Sequence, residues 1–238
     1  IGKMADVETI IEGVQSVLSP KDLVGEHVLI TAGPTREPID PVRFISNRSS
    51  GKMGYELARV ARRRGAAVTL ISGPTSLQVP FGVSVVRVET AAEMYGAVMD
   101  HVGLSSIAIM AAAVADFCPA EQKMLKAEKE DISMLRLDRT PDILAGIGAL
   151  ERKPFVVGFA AETGARLDRA ERKMIAKGAD MIVFNDVLQD GAGFETDTNV
   201  VTIISRGKDG VHQKEFLPLM SKEAVASAIF DSIVSHKE

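Results

Sequence analysis

The segment Ser46-Asn47-Arg48-Ser49-Ser50-Gly51-Lys52-Met53-Gly54 joins a strand pattern to a helix pattern, and the architecture of the chain follows from that junction. Upstream, Val28-Leu29-Ile30 is a short apolar run of the buried-strand kind, followed by a long polar loop from Thr31 to Arg43. Downstream, Met53, Leu57, Val60 and Ala61 recur at helical spacing up to Gly65. The segment is thus predicted to be a helix N-terminus, where unsatisfied N–H groups and the helix dipole favour an anion.

Spacing narrows the kind of anion site. A P-loop needs Gly-x-x-x-x-Gly-Lys-Ser/Thr, but Ser46 stands where the first Gly should be and Met53 where the hydroxyl should be. Ser49-x-Gly51-x-x-Gly54 copies the dinucleotide fingerprint with Ser for its first Gly. The next strand pattern, Val68-Thr69-Leu70-Ile71, ends at Ser72 rather than at the acid a ribose would want, which disfavours a nicotinamide cofactor. The same glycines would also serve close packing of helix on sheet, and spacing alone leaves both readings open.

Strand patterns alternate with helix patterns outward from this segment: Val28–Ile30, helix 50–64, Val68–Ile71, Val83–Val88, helix 91–102, Ile107–Ala112, helix 141–150, Phe155–Ala160, helix 166–177 and Met181–Phe184. The alternation predicts an α/β fold with a doubly wound, mostly parallel, Rossmann-like sheet. Near the end the rhythm breaks. Val200–Ile204, the turn Gly207-Lys208-Asp209-Gly210 and an extended stretch to Leu217 predict a hairpin, and Ser221 opens a last helix. Between Asp116 and Thr140 a charged loop carries Lys123, Lys126 and Lys129, and an alternating strand is expected at 132–137, outside the parallel sheet.

Composition sets limits. The formal charge of −4 gives no global attraction to nucleic acid or an anionic membrane, so any phosphate site must be local. The longest apolar run, Ile107 to Val114, is far short of a membrane span. A single cysteine, Cys118, cannot close an internal disulfide, and a cytoplasmic setting is expected. The chain opens at Ile1 with a helical repeat through Ile10, Ile11, Val14, Val17 and Leu18, which reads as the tail of a preceding unit.

Ligands of open parallel sheets bind beyond the carboxyl ends of the strands, so the loops after Ile30, Ile71, Ala112, Ala160 and Phe184 are expected to converge. They deliver Arg43, Asn47, the Ser49-Ser50-Gly51 turn, Asp116 with the lysine loop, Glu162, Thr163 and Asn185-Asp186. Thr140 reads as a helix cap with Pro141 at the first helical position. By its position Phe159 reads as core rather than as a base-stacking platform, and Lys173 and Lys177, four apart on one helix face, as solvated surface. The mixture suits a polyanion and a reaction run on positioning and charge neutralisation.

The run Ile30-Thr31-Ala32-Gly33-Pro34-Thr35-Arg36-Glu37-Pro38-Ile39-Asp40-Pro41-Val42-Arg43-Phe44-Ile45-Ser46-Asn47, leading into Ser49-Ser50-Gly51-Lys52-Met53-Gly54, resembles bacterial phosphopantothenoylcysteine synthetase, the ligase of coenzyme A biosynthesis. The resemblance continues in Ala112-Ala113-Val114-Ala115-Asp116-Phe117, Pro141-Asp142-Ile143-Leu144, Gly158-Phe159-Ala160-Ala161-Glu162-Thr163, Asn185-Asp186-Val187, and Gly193-Phe194 with Asp197 and Asn199. It implies that CTP, with Mg²⁺, activates the carboxylate of 4′-phosphopantothenate as an acyl cytidylate, which L-cysteine then captures with loss of CMP. By motif, Asn47 and Arg43 would hold the carboxylate and the acyl cytidylate, while Ser49, Ser50 and Gly51 would face the triphosphate. Met110, Ala111, Ala112, Asp116, Pro141, Asp142, Ile143, Leu144 and Phe159 would form the cytidine pocket, and Lys173 and Lys177 would face the nucleotide.

The loop departs from the family pattern. It is shorter and reads Lys123-Met124-Leu125-Lys126, so that Lys123 aligns as the catalytic lysine with Lys126 as its rival. The resemblance further implies a homodimer joined through added strands, with 132–137 and 200–217 as candidates. It assigns residues 1–20 to a linker from a fused flavin-dependent decarboxylase, where FMN would belong, and residues 21–238 to the ligase. Ser-x-Gly-x-x-Gly keeps a Rossmann-type NAD(P) oxidoreductase as a competing reading, alongside a non-catalytic nucleotide-binding module.

Overall fold

Near-continuous apolar runs, whose successive side chains point to opposite faces, drive the main strands into a sheet covered on both faces. The computed structural model describes residues 4–5, 7–128, 132–164, 166–186, 188–189, 191, 193–207 and 211–237. Lys129, Val187 and the turn Lys208-Asp209-Gly210, named above, lie outside them. In chain order the elements are α1 (Val7–Leu18), β1 (His27–Ala32), β2 (Arg36–Pro38), β3 (Phe44–Ser46), α2 (Lys52–Arg63), β4 (Ala67–Ser72), β5 (Ser84–Arg87), α3 (Ala91–Val102) and β6 (Ile107–Met110). Then follow β7 (Phe117–Pro119), β8 (Leu137–Arg139), α4 (Ile143–Gly148), β9 (Phe155–Glu162), α5 (Leu167–Ala176), β10 (Met181–Asp186), β11 (Thr198–Arg206), β12 (His212–Ser221) and α6 (Lys222–Lys237).

The large sheet runs β12-β11-β10-β9-β6-β1-β4-β5. From β5 to β10 all neighbours are parallel, and β11 and β12 add antiparallel pairs at one edge. Counted in chain order, the parallel part is the 3-2-1-4-5-6 arrangement of doubly wound nucleotide-binding sheets, with its switch point between β1 and β6. Val28 and Ile30 of β1 bury one way, among α2 and α6; Leu29 buries the other way, among α3, α4 and α5.

Two positions fix how α2 meets the sheet. Gly51 caps the helix at φ +79°, a left-handed conformation that favours glycine. A Cβ on Gly54 would lie 2.5 Å from Ala32 Cβ and 3.0 Å from the Thr31 carbonyl oxygen, so only glycine lets the helix lie this close to β1. Behind the sheet, the buried Arg64 guanidinium reaches Asp22, Asp231 and the Ser227 carbonyl, and Arg63 reaches Glu12 of α1 and Glu223 of α6. The apolar residues Val7, Val14, Val17 and Leu18 of α1 remain exposed.

Several expectations shift. The polar loop after β1 contains the β2–β3 hairpin, because Glu37 is buried there and accepts the Ala91 N–H at the start of α3. The strand expected at 132–137 is instead β8 at 137–139, paired with β7; Leu135 and Leu137 stay largely exposed, so their alternation had no sheet to cover. The expected cap Thr140 donates to the Ala115 carbonyl at 2.6 Å, and Asp142 caps α4 instead, accepting Ala145 N–H at 2.9 Å. The hairpin β11–β12 extends the main sheet directly.

Two outcomes test this packing. Gly54→Ala should lower the free energy of unfolding by about 1–3 kcal/mol, read from the urea midpoint, because the added methyl overpacks against β1. The Arg64 hydrogen bonds hold the Asp22 carboxyl below its usual range against its burial; for Glu26, burial opposes ionisation and the bonds from Lys237 and Ser106 outweigh it. Stability linked to a lowered carboxyl is present above its unfolded pKa and lost as pH falls through the folded one. Calorimetry should therefore show a steady Tm from neutral pH down to about pH 5, a decline below about pH 4, and a shallower decline in Asp22→Asn.

Candidate active site

Beyond the carboxyl ends of β1 and β6 the chain stays stitched. Pro34 and Ala113 form a parallel bridge, the Ala113 N–H donates to the Gly33 carbonyl at 2.9 Å, and the Ala112 N–H donates to Thr31 Oγ1 at 3.2 Å. Thr35 Oγ1 accepts the Ala115 N–H at 3.0 Å, while the Thr140 N–H reaches the Asp116 carbonyl at 3.1 Å. The buried hydroxyls of Thr31 and Thr35 thus hold the 112–116 loop from the β1 side and the half-buried Thr140 from the other, and the loop forms the floor of a cleft of about 890 Å³.

One wall is the start of α2. Gly51 brings no capping side chain, and the Lys52 N–H has only a long 3.5 Å contact with Ser50 Oγ, so the positive end of the helix dipole lies at the cleft. Ser49 Oγ accepts the Gly51 N–H at 3.2 Å, and Ser50 donates to the Phe194 carbonyl. Asn47, at the end of the β3 side, donates through Nδ2 to the Val114 carbonyl at 2.9 Å and so sits across the floor from the helix. The opposite wall is the Pro141–Leu144 turn and Phe159. Gly158 makes room for it, since a Cβ there would lie 2.9 Å from Leu144 Cδ2.

Seven basic side chains line the cleft, namely Arg48, Lys52, Arg139, Arg169, Lys173, Lys177 and Lys222, against two acids, Asp116 and Asp142. In a chain of net charge −4 this is a strong local reversal of sign, suited to a polyanion. Lys177 binds the Asp142 carboxylate. Burial works against ionisation of Asp142, but Lys177, the Ala145 N–H and Lys173 outweigh it and hold its carboxyl below the usual range.

The structure brings together Asn47, Ser49, Ser50, Gly51, Met110, Ala111, Ala112, Asp116, Pro141, Asp142, Ile143, Leu144, Phe159, Lys173 and Lys177. It leaves Arg43 and Lys123 outside this chain's own cleft lining, and Lys126 with them. The Arg43 guanidinium turns back: Nη2 donates to the Ala127 carbonyl at 3.2 Å, and Nη1 stands 3.6 Å from Asp40, close enough for an ion pair but not for a hydrogen bond. Lys123 donates its backbone N–H to the Ile39 carbonyl at 2.9 Å, which seats the lysine loop on the β2–β3 turn. Glu162 pairs with Arg169 at 3.3 Å rather than entering the cleft.

Sequence reasoning missed Lys222. Its side chain is buried, and its ammonium donates to the carbonyls of Gly193, Thr196 and Thr198, the first and last at 3.1 Å. Burial and the neighbouring Lys52 push its pKa down, against the pull of Asp197. The loop it gathers lies over the start of α2, where Lys52 donates to the Glu195 carbonyl at 2.9 Å and to Asp197 at 2.7 Å. A lysine opening a helix after a serine cap gave no signal of this; the polar stretch Gly193-Phe194-Glu195-Thr196-Asp197 just before β11, with no strand or helix pattern of its own, was the available hint.

Among the described residues no cluster of three or more His, Cys, Asp or Glu side chains could hold a metal ion, and no helix is long and apolar enough to cross a membrane. Comparison with known proteins identifies the family. Residues 23–236 match the family model described as DNA/pantothenate metabolism flavoprotein C-terminal domain. The coenzyme A biosynthesis bifunctional protein CoaBC of Vibrio cholerae is 45% identical over 236 residues, and that of Bacillus subtilis 46% over 239; each match covers 98% of this chain and 58% of the relative. The chain thus spans a little over half the length of these curated relatives. A crystal structure of the C-terminal domain of CoaBC superposes with a TM-score of 0.76 at 42% identity, covering 90% of this chain and 97% of that one. With the family model matching residues 23–236 and relatives 45–46% identical over 98% of its length, the chain belongs to the DNA/pantothenate metabolism flavoprotein C-terminal domain family.

Proposed function

We propose that this chain is a phosphopantothenate–cysteine ligase of coenzyme A biosynthesis, using CTP through an acyl cytidylate. The observation that carries the reading is the cleft itself, which combines seven basic side chains and a helix start with the apolar residues and backbone groups of the Pro141–Leu144 turn and Phe159. One helix terminus contributes only about 0.3–1 kcal/mol toward a single charge, so a triphosphate calls for the side-chain cations as well. Those cations are present. The names of the relatives, which are coenzyme A biosynthesis proteins, support the same assignment.

In this reading the triphosphate lies against Ser49, Ser50 and Gly51, with Lys52, Lys173 and Lys177 neutralising its charge. The cytosine ring lies between Phe159 and the Pro141–Leu144 turn, whose backbone donors and acceptors read its edge. Asn47 and the 112–116 floor hold the 4′-phosphopantothenate carboxylate in line with the α-phosphorus. A carboxylate oxygen attacks that phosphorus, the bond to the β-phosphate breaks, and pyrophosphate leaves. The amine of L-cysteine then attacks the acyl carbonyl, and CMP leaves.

Mg²⁺ would travel with the triphosphate and offset its charge; the cleft offers Asp116 as a carboxylate not committed to capping, in keeping with the sparse protein ligation typical of this ion. Arg43 and the lysine loop reach no part of this chain's cleft, so their proposed roles call for loop movement or for a second copy, as in a homodimer with the site near its interface. Residues 1–20 as a linker from a fused flavin-dependent decarboxylase, which would hold FMN, belong to the same proposal.

The direct test mixes the chain with CTP, Mg²⁺ and 4′-phosphopantothenate, and then adds L-cysteine. Pyrophosphate should appear first and CMP only after cysteine; CTP binding without pyrophosphate release would instead support a non-catalytic nucleotide-binding module. Asn47→Ala should lower kcat by about a hundredfold while the enzyme still binds CTP, because the acyl group loses its alignment. Lys222→Met leaves three carbonyls short of a donor and releases the loop over α2, so the KM for CTP should rise by about tenfold.

A further inference from the structure

Asp40 is a buried acid for which the reaction scheme has no task. Its side chain is fully shielded from solvent, in the turn between β2 and β3. One carboxylate oxygen accepts the N–H groups of Val42 and Arg43, each at 2.8 Å, and closes that turn. The other accepts the N–H of Ala127 at 3.2 Å, from a segment 87 residues further along the chain. Two more bonds join the same pieces: Lys123 N–H to the Ile39 carbonyl at 2.9 Å, and Arg43 Nη2 to the Ala127 carbonyl at 3.2 Å. The segment 123–127 is therefore anchored at both ends, with Lys126 between the anchors.

A turn of this kind needs only one side-chain oxygen, and asparagine or serine commonly supplies it. Asp40 does more than close a turn. Three N–H donors converge on its two oxygens, and an asparagine, with one acceptor oxygen, would face one of them donor to donor. Ala127, the far anchor, is buried as well, so water is poorly placed to substitute for the lost bond. The same turn carries Arg43, and Asn47 follows four residues later at the end of β3.

We infer that Asp40 is a positioning residue for the lysine-bearing loop: its carboxylate sets where Lys123 and Lys126 stand relative to Arg43 and Asn47. The inference rests on the ligase reading for what the lysine does, but the anchoring itself does not. The turn is a common mount. A substitution that cuts the Ala127 bond should free the loop without disturbing the nucleotide cleft, which Asp40 does not line.

Native-state trypsin digestion reads the anchoring directly, because Lys123 and Lys126 are themselves cleavage sites. In Asp40→Asn, cutting after these two lysines should be about tenfold faster than in the unmodified chain, while cutting elsewhere keeps its rate. In the pyrophosphate assay, kcat should fall by about tenfold and the KM for CTP should stay within about twofold, the split expected of a lost alignment rather than of lost nucleotide binding. Ala127→Pro removes the same N–H donor while leaving Asp40 in place; because trypsin does not cut a Lys–Pro bond, its readout is cutting after Lys123 alone, which should be about tenfold faster, with the same split between kcat and KM, and it decides the matter if Asp40→Asn does not fold. Unchanged cleavage in a folded variant overturns the anchor, and faster cleavage with unchanged kcat, or a rise in KM alone, overturns the positioning role. If the unmodified chain releases no pyrophosphate, the ligase reading fails, and the cleavage rates alone still decide the anchor.

Discussion

The close approach of α2 to β1 is the constraint on which the rest is built. Gly54 lets helix backbone meet strand backbone, and Gly51 turns the chain into the helix with a left-handed residue. A side chain at Gly54 would push the helix start away from the switch point, and with it Ser49, Ser50 and the first N–H groups. The site is thus a product of backbone geometry before any charged residue is considered. That geometry is available only because β1 is central, with β6 on one side and β4 on the other.

Charge is then layered onto the scaffold in two opposite ways. Behind the sheet, Arg63 and Arg64 are surrounded by carboxylates from α1, α6 and the segment before β1, so each buried cation is matched locally. In the cleft the cations outnumber the acids, and several reach for backbone carbonyls or shared carboxylates. The first arrangement is satisfied as it stands. The second leaves an excess of cations along the cleft, which fits the polyanion that the proposed reaction requires.

Much of this was legible in the sequence, for identifiable reasons. Parallel strands buried on both faces announce themselves as apolar runs, so β1, β4, β6, β9 and β10 were found, and with them the loops that form the cleft. The helix start at Gly51 was readable because glycine and serine spacing is local. What escaped was tertiary: Glu37 buried against the start of α3, Thr140 spent on the Ala115 carbonyl instead of a helix cap, and Lys222 held by a loop about 25 residues before it. Arg43 and Lys123 were assigned by motif, and the structure seats both on the β2–β3 turn, outside this chain's own cleft. Motifs encode identity at a position, not the direction in which a side chain points.

The stitched floor has a consequence of its own. With Pro34 bridged to Ala113 and Ala112 held by Thr31, the base of the crevice has the rigidity of a sheet although no regular strand runs there. Adaptation to a ligand is thereby left to the edges of the crevice, such as the loop around Gly193 and Phe194. Stability and adaptability reside in different residues. A small molecule aimed at the floor would meet a surface that resists reshaping, whereas one that engages the loop around Gly193 would meet a part held by hydrogen bonds rather than by a sheet.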